Sequence, residues 1–320
     1  MGIFLYILER NIAPIFIVIG LGFLIGKKFD LNVSTLSKLN FYVFVPAFIA
    51  INLYETDLSM NMLKIILFAA IYMVVNDLLA RIIAKIRKYD TGMTGAFKNS
   101  IMFNNVGNIG LSLLTLVFSS DPYIVGGTTP YLGDALGVLV TVLVFSNIAT
   151  YTVGFYYAGR ASMDIKDSIG KIFTMPSIYV IPIILLIKYL NFDLSESFVW
   201  PALVTVKNGM VSIALLSLGI QLSRAKADLK NIDVHISVFV RLIAGPILAF
   251  FLIRIFGFTG VIAQAMLISY SVPSAVNTVM IAIEFKNNEN FATQSVVTST
   301  LLSIATLTFS IYAARYLFPL

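Results

Sequence analysis

The chain contains no cysteine and only one histidine, His235. Without thiols there is no disulfide, no thiolate metal site and no cysteine nucleophile. Charge is also scarce: 12% of the 320 residues are Asp, Glu, Lys or Arg, against 58% apolar. A soluble domain carries about 25% charged residues, so the composition excludes one and points to an all-α polytopic membrane protein. Its length fits one membrane domain with short loops and leaves no room for a sizeable soluble domain. Low-complexity segments and flexible linkers are missing as well. The net charge of +6 would suit nucleic acid, but the distribution described next accounts for it, so no nucleic-acid partner is expected. His235 lies beside Asp233 near an expected membrane boundary, where a surface residue fits better than a proton relay.

What is present is a series of apolar stretches long enough to span a bilayer. Ten are read, at about 11–28, 36–53, 62–85, 96–119, 130–157, 172–190, 198–222, 235–256, 261–285 and 292–316. The first has no small-residue cleavage site and is followed by Lys27 and Lys28, so it reads as an inserted helix and not a cleaved signal. With the N-terminus outside, 15 basic residues fall on the cytoplasmic side and 5 outside, and Lys207 and Arg241 lie within spans. The cytoplasmic set includes Lys85, Arg87, Lys98, Arg160, Lys166, Lys171, Lys226 and Lys230. The positive-inside bias then places both termini outside and the protein in the plasma membrane.

The longest polar connection, 158–171, leaves five spans on either side. An odd number per half gives two repeats of opposite topology, 1–158 and 159–320, an arrangement found in secondary transporters. Spans four and nine then correspond, and both are interrupted. Span nine carries Ser269-Tyr-Ser-Val-Pro-Ser-Ala-Val-Asn277, where Pro273 lacks an N–H and clashes with the carbonyl four residues back. Span four carries Asn104-Asn-Val-Gly-Asn-Ile-Gly110. Asn105 lies roughly 14 Å into its span at 1.5 Å per residue, and Pro273 is similarly deep, so the two breaks are expected to cross near the midplane. Freed backbone groups there cannot face lipid. They either satisfy one another or line a watery site whose half-helix N-termini attract an anion. Asn104, Asn105, Gly107, Asn108, Pro273, Ser274 and Asn277 are the candidate binding residues.

Three ionisable residues lie inside spans and are costly there. Asp77 has Arg81 one turn away on the same face and Arg241 as a rival partner at similar depth, in either a structural pair or a coupling site. Lys207 lies too deep to snorkel easily. It either neutralises an anionic substrate, carries a proton, or pairs with a buried carbonyl or with Asp134. No dedicated metal site is read, and sodium near Asn105 and Asn277 or a proton are the only coupling ions in view. Gly20, Gly22 and Gly26 sit inside an apolar span with no strand before them, which excludes a dinucleotide loop and favours close helix packing at Gly22 and Gly26. An intramembrane enzyme lacks any convincing nucleophile–base pair.

The motif Asn105-Val-Gly-Asn-Ile-Gly-Leu-Ser112 resembles the fourth-helix signature of the auxin efflux carrier family. Val272-Pro-Ser-Ala-Val-Asn277 resembles its ninth-helix signature. Asn208 to Gly219, Phe41 to Pro46 and Ser299 to Ser303 are similar to its seventh, second and tenth helices. The resemblance implies ten helices in two inverted five-helix repeats, with helices 1, 2, 6 and 7 as scaffold and 3–5 and 8–10 as a moving unit. It further implies an elevator-type secondary transporter of a small organic anion, auxin- or malate-like, that forms a homodimer through its scaffold helices. A sodium/proton antiporter or sodium-coupled symporter on the same fold is the alternative. Asn105, Asn277 and Pro273 would line the substrate site, with Asp77 and Arg81 beside it. Ser112 departs from the family by replacing a proline, and Lys207 by replacing a glycine. The long cytoplasmic loop of the regulated plant carriers is absent.

Overall fold

The computed structural model describes residues 3–55, 60–159, 176–224 and 231–320. The polar connection after residue 159, with Arg160, Lys166 and Lys171, and the residues Lys226 and Lys230 fall outside them. Every regular element among the described residues is helical. Among the described residues, six helices are long and apolar enough to cross a membrane: α1 (Phe4–Lys28), α3 (Met60–Arg87), α6 (Leu132–Gly159), α8 (Trp200–Arg224), α9 (Ile232–Ile255) and α12 (Glu289–Leu317). Between them lie the shorter apolar helices α2 (Tyr42–Glu55), α5 (Val106–Phe118), α7 (Pro176–Tyr189) and α10 (Gly260–Ser271). Two more short helices, α4 (Thr91–Met102) and α11 (Asn277–Glu284), flank the breaks, and a further short helix, Val33–Leu39, leads into α2. Helix α1 begins seven residues earlier than the expected start at 11, because Phe4 to Leu8 is itself apolar and Ile7 is buried, while Glu9 and Arg10 stay exposed.

Two groups of helices dominate the packing. In one, α1 lies along α8, and α2 rests against α7 and α8. The α1–α8 contact is backbone to backbone. A Cβ on Gly22 would fall on the Leu216 backbone, one on Gly219 would fall on Ile19 and Phe23, and one on Gly26 would meet Ile220. Small residues at such a crossing bring the backbones into van der Waals contact where lipid gives no hydrophobic drive. In the other group, α10 packs against α6, α9 and α12, and α3 packs against α4 and α6. Their core includes Phe68, Tyr72, Leu139, Val142, Met266 and Ile268.

Several helices contain a widened π turn, and three of these share a cause. The π segments Leu8–Ile12, Asn40–Phe44 and Val240–Ala244 each end two residues before a proline: Pro14, Pro46 and Pro246. A proline has no N–H for the carbonyl four residues back and its ring pushes that carbonyl away. The turn widens, so the N–H of Ala13 reaches Leu8 and that of Gly245 reaches Val240. Such bulges re-aim side chains and concentrate at functional sites. A further π segment, Val106–Gly110, opens α5 with Ser112 at the same offset.

Candidate functional site

The two interrupted stretches meet. Helix α4 starts on Asp90, whose side chain accepts from the Met93 N–H at 2.7 Å, and ends at Met102, where Phe103 is extended. Helix α10 ends at Ser271 with Val272 extended, as the following proline requires. Between the half-helices, Asn104 and Ser274 pair as an isolated antiparallel bridge. The Asn105 N–H donates to Pro273 at 2.8 Å, and the Ala275 N–H donates to Phe103 at 2.9 Å. Two side chains repeat the exchange: Asn104 Nδ2 donates to the Ser269 carbonyl at 3.0 Å, and Ser274 Oγ to the Ser100 carbonyl at 2.7 Å. The backbone groups freed by the breaks are therefore used on one another.

Next to this bridge is a cavity of about 30 Å³ lined by Asn104, Asn105, Gly107, Asn108 and Asn277. Ser146, Asn147 and Thr150 of α6 close the opposite wall, and Val45 of α2 and Leu143 contribute apolar edges. The N-terminal ends of α5 and α11 both open onto it, each with about half a positive charge. The Asn105 carboxamide is 4% exposed, and its Nδ2 has no hydrogen-bond partner. A buried donor left unpaired costs about 1–3 kcal/mol, and the cavity that Asn105 lines has room for an acceptor beside it. The volume holds about two waters, less than an organic anion needs.

Pro273 and Ser274 are buried within the bridge itself and are not among the lining residues. Pro273 offers its carbonyl to Asn105, and the Ser274 N–H is 3.3 Å from Ser299 Oγ. Lys207 does not reach the cavity either. It sits 3.4 Å from Glu55 Oε2, at the end of α2, where both carboxylate and ammonium retain access to the surface. Glu55, and not Asp134, is thus its ion-pair partner.

Asp77 and Arg81 do pair, at 2.5 Å, but the second cation on Asp77 is Lys98 and not Arg241. Lys98 Nζ is 2.5 Å from Asp77 Oδ1, and the Tyr157 hydroxyl donates to the same oxygen at 2.7 Å. The ammonium also lies 4.1 Å from the Tyr157 ring centre. Lys98, counted among the residues of the cytoplasmic loops and flanks, has a side chain only 4% exposed. It follows Asp90 by two helical turns, and the close approach of α4 to α6 at Gly95, where any Cβ would fall on the Tyr157 carbonyl, carries it inward. A second cavity of about 140 Å³, lined by Tyr89, Thr91, Thr94, Gly95, Lys98 and Tyr157, reaches this pair. At its rim, Tyr89 Oη donates to Asp233 at 2.8 Å, and Arg87 lies 2.9 Å from the same carboxylate. Burial, and then the Asp233 carboxylate, push the Tyr89 hydroxyl up to about 12.

Arg241 is fully buried. Its Nη1 donates to the Ile101 carbonyl at 3.1 Å and its Nη2 donates to the Tyr270 carbonyl. Sequence reasoning also missed Ser146, Asn147 and Thr150. Three polar residues within about one helical turn, in the C-terminal half of a mostly apolar span, were the available signal.

A family model described as membrane transport protein matches residues 7–171 and 171–311. An uncharacterized transporter of Methanothermobacter thermautotrophicus is 21% identical over 304 residues, which cover 93% of this chain and 95% of that protein.

Proposed function

The chain belongs to the membrane transport protein family, that of the auxin efflux carriers, and on that premise we propose that it is a secondary carrier of a small organic anion. The observation that carries this reading is the convergence of two half-helix N-termini and the unpartnered Asn105 carboxamide on one cavity. Two ends of about +0.5 each present about one positive charge, which matches one carboxylate. Neutral amides from Asn104, Asn108 and Asn277 complete a donor set that binds an anion without a fixed cation. Lys207, paired with Glu55, plays no part in this binding.

In the proposed cycle, α6 and α11 separate to admit the anion, since the closed cavity is too small for it. Bound carboxylate neutralises the two N-terminal ends, and the unit of α3–α6 and α9–α12 then slides as an elevator against a scaffold of α1, α2, α7 and α8. The carrier works as ten spans in two inverted repeats in the plasma membrane, with both termini outside, as a dimer through its scaffold helices, and is not an enzyme. Cation–proton exchange is the second reading. The observation favouring it is buried Asp77 with Lys98 at the end of a cavity of about 140 Å³, a place where a proton or a cation could compete with the ammonium.

The test is flux of labelled mono- and dicarboxylates into proteoliposomes. We expect Asn105→Ala with Asn277→Ala to abolish saturable uptake while the protein remains monodisperse. Unchanged uptake and affinity in that double variant would refute the site. Sodium flux that depends on pH and needs no organic anion would move the assignment to exchange.

A further inference from the structure

Arg241 stands apart from the other buried charge. None of the ion pairs among the described residues involves it, although it is 0% exposed. Its partners are the carbonyls of Ile101 and Tyr270, which are the penultimate residues of α4 and α10. These are the two half-helices whose C-terminal ends converge behind the bridge. A helix C-terminus carries about −0.5 of an elementary charge, so the two together present about −1. The single positive charge of one guanidinium cancels that. The crossover thus has two poles: about +1 at the N-terminal ends facing the cavity, and about −1 at the C-terminal ends already covered from within.

The position of Arg241 is built by the chain. It lies in the π segment Val240–Ala244 created by Pro246, and without that widened turn its side chain would leave α9 at another angle. Gly245 keeps the space clear, because a Cβ there would lie 2.8 Å from Tyr72 Oη and 3.6 Å from Arg241 Nη2. Tyr72 Oη and Arg241 Nε are both buried without a hydrogen-bond partner. Removing the guanidinium would leave two carbonyls and a phenolic oxygen around a cavity of negative potential. Neutral oxygens of that kind are the ligands hard cations take.

We infer that Arg241 fills the place a coupling cation would occupy, so that the crossover is charge-balanced without sodium and binds none. The word coupling rests on the carrier reading, but the charge balance does not. Its consequence is a gain of function. Truncating Arg241 should convert a sodium-indifferent protein into a sodium-binding one.

Melting temperatures of the purified protein in sodium, potassium and choline chloride at equal ionic strength test this, with no organic anion present. The wild type and Arg241→Lys should melt alike in all three salts. Arg241→Ala should melt several degrees lower in choline and recover selectively in sodium. A sodium-specific rise in the wild type overturns the inference, as does a folded Arg241→Ala that is indifferent to sodium. If Arg241→Ala yields no folded protein, equilibrium binding of radioactive sodium to the wild type and Arg241→Lys decides. A saturable site in either overturns the inference, and none in both supports it. Because every arm omits the anion, failure here leaves the carrier reading intact, and failure of carboxylate uptake leaves these results unchanged.

Discussion

Lys98 exchanges one solvation for another: it gives up water for a carboxylate at 2.5 Å and a tyrosine face at 4.1 Å. Breaking a buried pair from one side costs about 3–5 kcal/mol when it leaves the other charge uncompensated, and less here, because Arg81 and Tyr157 still hold Asp77. Lys98→Met should therefore lower the melting temperature, and Lys98→Met with Asp77→Asn should restore part of it, read by thermal unfolding in detergent. Equal melts for the single and double variants would show that the pair stores no such energy. Tyr89 allows a second prediction by pH. Its hydroxyl has a raised folded-state pKa of about 12 against the usual 10, so its contribution is complete below pH 10 and disappears as pH rises through about 12. The wild type should lose stability relative to Tyr89→Phe across that window, with parallel profiles below it. Asp77 with Arg81 was legible in the sequence because i and i+4 share a helix face. Lys98 was not, since nothing in the run Thr91 to Ser100 says how far α4 tilts inward before it breaks.

At the scale of helices, the breaks themselves were readable. Pro273 forbids an intact α10–α11 helix, and a cluster of three asparagines with two glycines weakens the opposite one. Pro273 and Ser274 do not line the cavity of about 30 Å³, a detail sequence leaves open because it gives depth along a span but not rotation about the bridge. The π segments tie local chemistry to this geometry. Ser112 stands where Pro14, Pro46 and Pro246 stand relative to their own widened turns, and its Oγ donates to the Asn108 carbonyl at 2.9 Å. The backbone there already has the shape a proline imposes. Ser112→Pro should thus cost well under the roughly 3 kcal/mol of a proline in a regular helix interior, whereas Thr141→Pro in α6 should prevent folding; size-exclusion melts of the two compare them directly. The α1–α8 crossing yields a matched pair. Gly219→Ala places a methyl on the Ile19 and Phe23 backbones and should cost about 1–3 kcal/mol, while Gly20→Ala, with open space around it, should be neutral or slightly stabilising.

For the whole molecule, the sequence already implied membrane residence, and the family resemblance carried over to the match of residues 7–171 and 171–311. The division into a scaffold and a moving unit is tested by a tether. Val45 of α2 and Leu143 of α6 face the same cavity from the two helix groups, and the absence of native cysteine makes an introduced pair the sole thiol target. Val45→Cys with Leu143→Cys, joined by a bifunctional thiol reagent, should stop uptake, and thiol cleavage of a reducible linker should restore it. Uptake that continues through the cross-linked protein would exclude sliding between these groups.

The bridge at Asn104 and Ser274 has a further consequence for how the protein opens. Two backbone rungs and two side-chain rungs join stretches 170 residues apart in sequence, like a fragment of sheet set within helices. Interruptions in helices are ordinarily where deuterium enters first. Here the amides of Asn105 and Ala275 should be among the last to exchange, because releasing either one requires both half-helix pairs to come apart together.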